Sequence, residues 1–105
     1  MDITLACVYA DTLLTSARLW VRRCAPSLDE ELRQTIASGL LDLHNNGVAR
    51  IDPADPLIQQ ALKFYVKGYF GYDSDSEKWR EAYEKLKISL SLNGEYNKVV
   101  AIDDG

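Results

Sequence analysis

The chain has 105 residues, of which 27% are charged and 47% are hydrophobic, as in an ordinary globular domain with one modest core. Its net charge is −4, from 12 basic and 16 acidic residues. Proteins that hold nucleic acid by its phosphates need a basic surface, so this acidic balance argues against that class. The hydrophobic content also excludes disorder along the whole chain.

Two cysteines, Cys7 and Cys24, are too few for a disulfide framework or a zinc site. We interpret both as free thiols that pack like small apolar side chains. No apolar run approaches the roughly 20 residues of a membrane span, and no basic leader precedes the apolar N-terminal part. We therefore expect a soluble, cytosolic protein without a membrane partner.

The first helix is predicted over residues 3–24, in one or two pieces, and Pro26 ends it. A second helix is predicted to begin with a capping box, in which the Ser27 side chain accepts the Glu30 amide and Glu30 reaches back. Its apolar stripe follows at helical spacing: Leu28, Leu32, Ile36, Leu40 and Leu43. Gly39 within this helix costs about 1 kcal/mol relative to alanine, so we expect it to mark a close contact with another helix.

The third helix is predicted to start at Asp55 as its cap, with Pro56 in the first turn, where a missing amide does no harm. A broad apolar face extends along residues 57–70. The fourth helix is predicted to begin with a second capping box and to end at Gly94; the box is formed by Ser74 and Glu77.

These elements predict an all-α fold, a small bundle of about four helices with an extended C-terminal tail. The predicted domain comprises residues 1–94, and residues 95–105 form the tail. We expect the core to be built from the apolar faces of the last three helices, namely Leu32, Ile36, Leu40, Leu62, Tyr65, Val66, Trp79, Tyr83 and Leu86.

No constellation of residues indicates catalysis, and we expect neither an enzyme nor a cofactor nor a metal site. The single histidine, His44, lies near a helix end, where interaction with the helix dipole explains it better than a dyad with Asp42. Asp73 and Asp75 have the spacing of a calcium loop, but the loop is too short, and helix capping is the better interpretation.

Two groups of residues have two interpretations each. The aromatic residues between 65 and 83 could stack on single-stranded nucleic acid, but their helical spacing favours core packing. The basic cluster of Arg18, Arg22 and Arg23 is either a solvated helix face or one half of a charged subunit contact. The other half would be supplied by acidic residues of a neighbouring copy: Asp29, Glu30 and Glu31.

The order of motifs between Ser27 and Asn97 resembles the head–tail connector family of tailed phages and prophages. The most specific stretches are Asp-Pro-Leu-Ile at 55–58, Tyr-Val-Lys-Gly-Tyr-Phe-Gly-Tyr-Asp at 65–73, and the segment 86–96 that contains Ser-Leu-Asn-Gly-Glu-Tyr. The small head-completion adaptors of this family dock beneath the portal.

The resemblance implies a structural protein that assembles with itself into a ring of roughly a dozen copies. Such a ring would contact the portal protein and a tail or stopper protein, and DNA would pass through its channel without specific binding. It implies a location at the head–tail junction of the virion, after assembly in the bacterial cytoplasm. The broad apolar face of the third helix would then also serve a lateral contact, with Tyr69 and Tyr72 as candidate interface residues.

The alternative is a small helical DNA-binding or regulatory module, with the second and third helices as a helix-turn-helix. The link at residues 48–55 is too long and too rich in proline for that turn, and the would-be recognition helix has only two lysines. The connector interpretation is therefore favoured.

Overall fold

The fold is all-α, as predicted, with four helices and no strand among the residues that the structure describes. The structure is a computed structural model, and it describes residues 1–22, 25–70 and 74–98. The helices are α1 (Ile3–Val21), α2 (Asp29–Asn45), α3 (Pro56–Tyr69) and α4 (Ser76–Leu92), with a short 3-10 turn at Pro26–Leu28. Within these ranges, no helix combines the length and the apolar character that a membrane crossing requires.

The predicted aspartate cap of α3 is confirmed, and α1 has an aspartate cap that was not predicted. The Asp55 side chain accepts the Leu57 amide at 2.8 Å before Pro56, as expected. Asp2 caps α1 in the same way by accepting the Leu5 amide, and α1 is one continuous helix.

Both predicted capping boxes are wrong. Ser27 lies inside the 3-10 turn, so α2 starts after Leu28 without a side-chain cap. The α4 helix starts after Asp75, also without a side-chain cap hydrogen bond, and Ser74 lies outside it. In the first case Pro26 fixes a tight turn ahead of the helix, which takes Ser27 out of the extended conformation that a cap needs.

The packing order places α2 and α3 at the centre. The α1 helix packs against α2 and α3, and α4 packs mainly against α3. In the described part of the chain, α1 and α4 make at most a marginal contact. Alanines face the core from α1, which lets that helix approach its neighbours closely: Ala6, Ala10 and Ala17, together with Leu13. The buried α2 side chains in the same core cluster include Leu32, Ile36, Leu40 and Leu43.

The nine residues expected in the core occupy two environments. Those that are fully buried are Leu32, Ile36, Leu40, Leu62, Val66 and Tyr83. Tyr65 and Leu86 are partly buried and pack against this cluster. Trp79 departs from the expectation: it is partly buried and stacks on Phe64 at the edge of the bundle, with ring centroids 5.6 Å apart.

Tyr96, expected in the tail, is fastened to the link between α2 and α3. Its carbonyl oxygen accepts the amides of Ala49 at 2.8 Å and Arg50 at 3.0 Å, and its hydroxyl donates to Asp55 at 2.8 Å. The link is neither helix nor strand, and these bonds satisfy two of its backbone amides. The apolar end of the predicted tail, residues 99–102, lies outside the described residues, and the division at residue 95 stays a prediction.

Gly39 marks a close helix–helix contact, as the sequence predicts. A Cβ atom there would lie 2.9 Å from Tyr65 Cδ1 and 3.1 Å from Leu62 Cδ2. The Tyr65 ring cannot easily retreat, because it stacks on Tyr69 at 4.5 Å and meets the edge of Tyr83 at 5.0 Å.

Gly39→Ala should therefore destabilise the protein. Overpacking of about 1–3 kcal/mol outweighs the gain in helix propensity of about 1 kcal/mol, so the free energy of unfolding should fall by about 1 kcal/mol. Urea unfolding followed by circular dichroism measures it. Ser38→Ala, at the exposed neighbouring position, is the matched control and should be neutral or stabilising. Stabilisation by Gly39→Ala would contradict the tight contact.

Candidate functional site

Arg18 and Asp29, predicted as two halves of a contact between subunits, pair within one chain. The Arg18 guanidinium donates from Nε to Oδ1 at 3.0 Å and from Nη2 to Oδ2, a two-pronged ion pair. It joins the last turn of α1 to the first residue of α2. The hydrogen bond from Arg18 holds the pKa of the Asp29 carboxyl below its ordinary value.

Glu30 also has an intrachain partner. It accepts from Arg33 one turn along α2 and from Gln34 at 3.1 Å, and Arg33 reaches Asp11 of α1 at 3.5 Å. The Arg33 hydrogen bond lowers the pKa of Glu30, and the same bond raises the pKa of Arg33. Together with the Arg18 pair, these contacts fasten α1 to α2 along one side.

Three predicted interface residues are accessible and form no ion pair within the described ranges. Arg22 is exposed and closes α1 in the left-handed conformation, at φ 55°, with its amide bonded to the Arg18 carbonyl. Glu31 is exposed on α2, and the Tyr69 side chain is 45% exposed at the end of α3. Arg23 and Tyr72 lie outside the described residues.

Tyr69 is the outer member of an aromatic ladder. It stacks on Tyr65, and the Arg80 guanidinium lies 5.0 Å from its ring centroid. Arg80 Nε also donates to the Gly68 carbonyl at 2.8 Å, so this cation is held over the ring. Tyr69 is therefore a rigid, half-exposed aromatic surface at one end of the bundle.

A network of hydrogen bonds and ion pairs next to these aromatic rings connects α2 to α4. Asp42 accepts from the Tyr83 hydroxyl at 2.5 Å and from Lys87 Nζ at 3.0 Å, and Lys87 also pairs with Glu84. Burial, and then the bond to Asp42, raise the pKa of Tyr83. Burial works against the charge of Lys87, but its bonds to Glu84 and Asp42 outweigh it and raise the pKa of Lys87.

One feature of the sequence points to this network. Lys87 lies on the same side of α4 as Tyr83 and Leu90, where an apolar residue would be expected, and a cation there needs a partner. Asp42 of α2 is that partner, and it lies 45 positions earlier in the sequence. Helical spacing relates residues of one helix only, so it does not predict this contact.

The single histidine, His44, contacts the first residue of the chain. Its Nε2 lies 3.1 Å from the Met1 amino nitrogen. No group of three or more His, Cys, Asp or Glu side chains in the described ranges could hold a metal ion.

Comparison with known families decides the assignment. The family model described as phage connector protein matches residues 15–97, about four fifths of the chain. The chain belongs to the phage connector protein family. Its resemblance to head–tail connectors is confirmed, and the connector is a structural protein of the head–tail connection. No curated protein and no solved structure matches it.

The network around Asp42 should be energetically coupled. Asp42→Ala leaves the Lys87 ammonium, whose side chain is 10% exposed, with one carboxylate fewer, and should lower the free energy of unfolding by about 2 kcal/mol. Adding Lys87→Met should recover about 1 kcal/mol of that loss in a double-mutant cycle measured by urea unfolding. Glu84→Ala, at a half-exposed carboxylate, is the control and should cost less than about 1 kcal/mol. Additive losses would show that the pair is not coupled.

The Arg18–Asp29 pair predicts a pH dependence. Since the folded pKa of Asp29 is lowered, the pair stabilises the connector above the unfolded pKa and loses that contribution as the pH falls through the folded pKa. Asp29→Asn should make the fall in melting temperature between about pH 5 and pH 3 less steep. Glu31→Gln removes a carboxylate that has no partner within the described ranges and should leave the slope unchanged. Equal slopes for all three proteins would contradict the pair.

Proposed function

We propose that this connector assembles into a ring of about a dozen copies that docks beneath the portal, extends the DNA channel and offers the tail its attachment surface. The observation that carries the proposal is the family match over residues 15–97. The partners are further copies of the chain, the portal protein and a tail or stopper protein. The ring is built in the bacterial cytoplasm and resides at the head–tail junction of the virion.

Two features of the molecule support a ring. Exposed large apolar side chains are concentrated on α1 and α4, which suits contacts between copies: Ile3, Leu5, Val8, Leu19, Ile88 and Leu92. The net charge of −4 suits a channel along which DNA slides, because an acidic wall repels the phosphate backbone.

The accessible charged and aromatic residues are proposed to take part in contacts between copies. Arg22, Glu31 and Tyr69 are available, and Arg23 and Tyr72 are retained from the sequence as candidates. Intrachain ion pairs already engage three further candidates, Arg18, Asp29 and Glu30. A neighbouring copy could therefore bind them only as an additional partner.

Mass measurement by light scattering over a concentration series, with negative-stain images of the largest species, tests the proposal. We expect rings with an open centre. Tubes or filaments would indicate the same kind of contact without closure. A strict monomer at every concentration would contradict assembly of the connector by itself.

Duplex DNA should show no mobility shift at low salt, and a salt-dependent shift would favour the DNA-binding alternative.

A further inference from the structure

We propose that neighbouring copies of the connector join through two different faces, the outer side of α1 on one copy and the outer side of α4 on the next. The inference rests on the proposed ring and specifies its interface. The α1 face comprises Thr4, Val8, Thr12, Thr15, Leu19 and Arg22. The α4 face comprises Glu77, Glu81, Lys85, Ile88 and Leu92.

We place the two faces on different sides of the bundle. The α3 helix packs against both α1 and α4, whereas α1 and α4 make at most a marginal contact in the described part of the chain. Each face is opposite the buried side of its own helix, which is marked by Ala10 and Leu13 in α1 and by Tyr83 and Leu90 in α4. A protein with two distinct faces on different sides can join head to tail, which is the geometry of a ring.

Large apolar side chains are exposed on both faces. Val8 is 53% exposed and Leu19 72% on the α1 face, and Ile88 is 56% exposed and Leu92 77% on the α4 face. The Thr12 hydroxyl donates to the Val8 carbonyl at 3.2 Å within α1, which satisfies that hydroxyl inside its own helix. Covering these side chains by a second copy removes apolar surface from water.

A lysine bridge fixes how the faces are aligned along the bundle. Lys67 Nζ donates to the Trp20 carbonyl at 3.0 Å and lies 5.0 Å from the centroid of the Trp79 ring. The C-terminal end of α1 and the N-terminal end of α4 therefore share one end of the molecule. Arg22 is thus level with the first turns of α4, and Val8 lies toward the end that holds Leu92.

This alignment makes the faces complementary in charge. All copies in a ring have the same orientation, so Arg22 of one copy meets the first turns of α4 in the next, where Glu77 and Glu81 lie. Within the described ranges none of these three side chains has an ion-pair partner, whereas Arg18 and Asp29 are paired. At the other end, Val8 meets Ile88 and Leu92. The partner of Arg22 is accordingly α4 of a neighbour, and not the acidic start of α2.

A charge swap on full-length protein tests the interface. Glu81→Arg should raise the concentration of half-maximal association by about tenfold at low salt, because attraction to Arg22 becomes repulsion. Arg22→Glu should do the same, and the double variant should return to within about threefold of the wild type. Glu95→Arg makes the same charge change at an exposed position after the end of α4, outside both faces, and should leave association unchanged. Light scattering provides the masses, and melting temperatures confirm that each variant folds.

The apolar end needs a separate variant. Ile88→Lys should weaken association without lowering the melting temperature, because this side chain is 56% exposed. Leu57→Lys, at a 44% exposed position on α3, is the matched control. Rings that form equally well with Ile88→Lys and both charge reversals would overturn the interface and leave the proposed ring intact. A wild-type protein that stays monomeric throughout would overturn the assignment to a second copy and leave a different protein as the partner of these faces.

Discussion

The close approach of α2 and α3 at Gly39 is the contact on which the rest of the connector depends. The α1–α2 pair and the α3–α4 pair are joined by the packing of α3 against α2 and α1, and no side chain at position 39 keeps Leu62 and Tyr65 at a distance. Tyr65 in turn meets the edge of Tyr83, whose hydroxyl bonds to Asp42 on α2. One missing Cβ atom thus permits both the apolar contact between two helices and the polar network that ties in a third.

Charges in this protein have two separate uses. Arg18, Arg33 and Lys87 each have a carboxylate partner within the chain, and these pairs fasten α1 to α2 and α2 to α4. Arg22 and Glu31 are exposed. Surface ion pairs contribute little to the stability of a monomer, but the same charges set orientation and register when two surfaces meet. The exposed charges are therefore the ones to consider for assembly.

The shape of the bundle suits a structural role. Because α3 packs against both α1 and α4, its side chains hold these two helices in register, and each of the two has an exposed surface of its own. Lys67 does this directly, since it contacts α1 through a carbonyl and α4 through an indole ring. A structural connector needs such fixed geometry, because its surfaces set the relative positions of the proteins that it joins.

The sequence by itself determined the number and type of the helices, the Asp55–Pro56 start of α3, the close contact at Gly39 and the family. Each of these depends on local chemistry: helical spacing, an aspartate cap, or the lack of a side chain. The partner of Arg18, the edge position of Trp79, the bond between Asp42 and Lys87 and the anchoring of Tyr96 were decided only by the tertiary structure. Spacing tells which side of its own helix a residue occupies, but it does not tell which other helix lies opposite. That depends on how all four helices share one core.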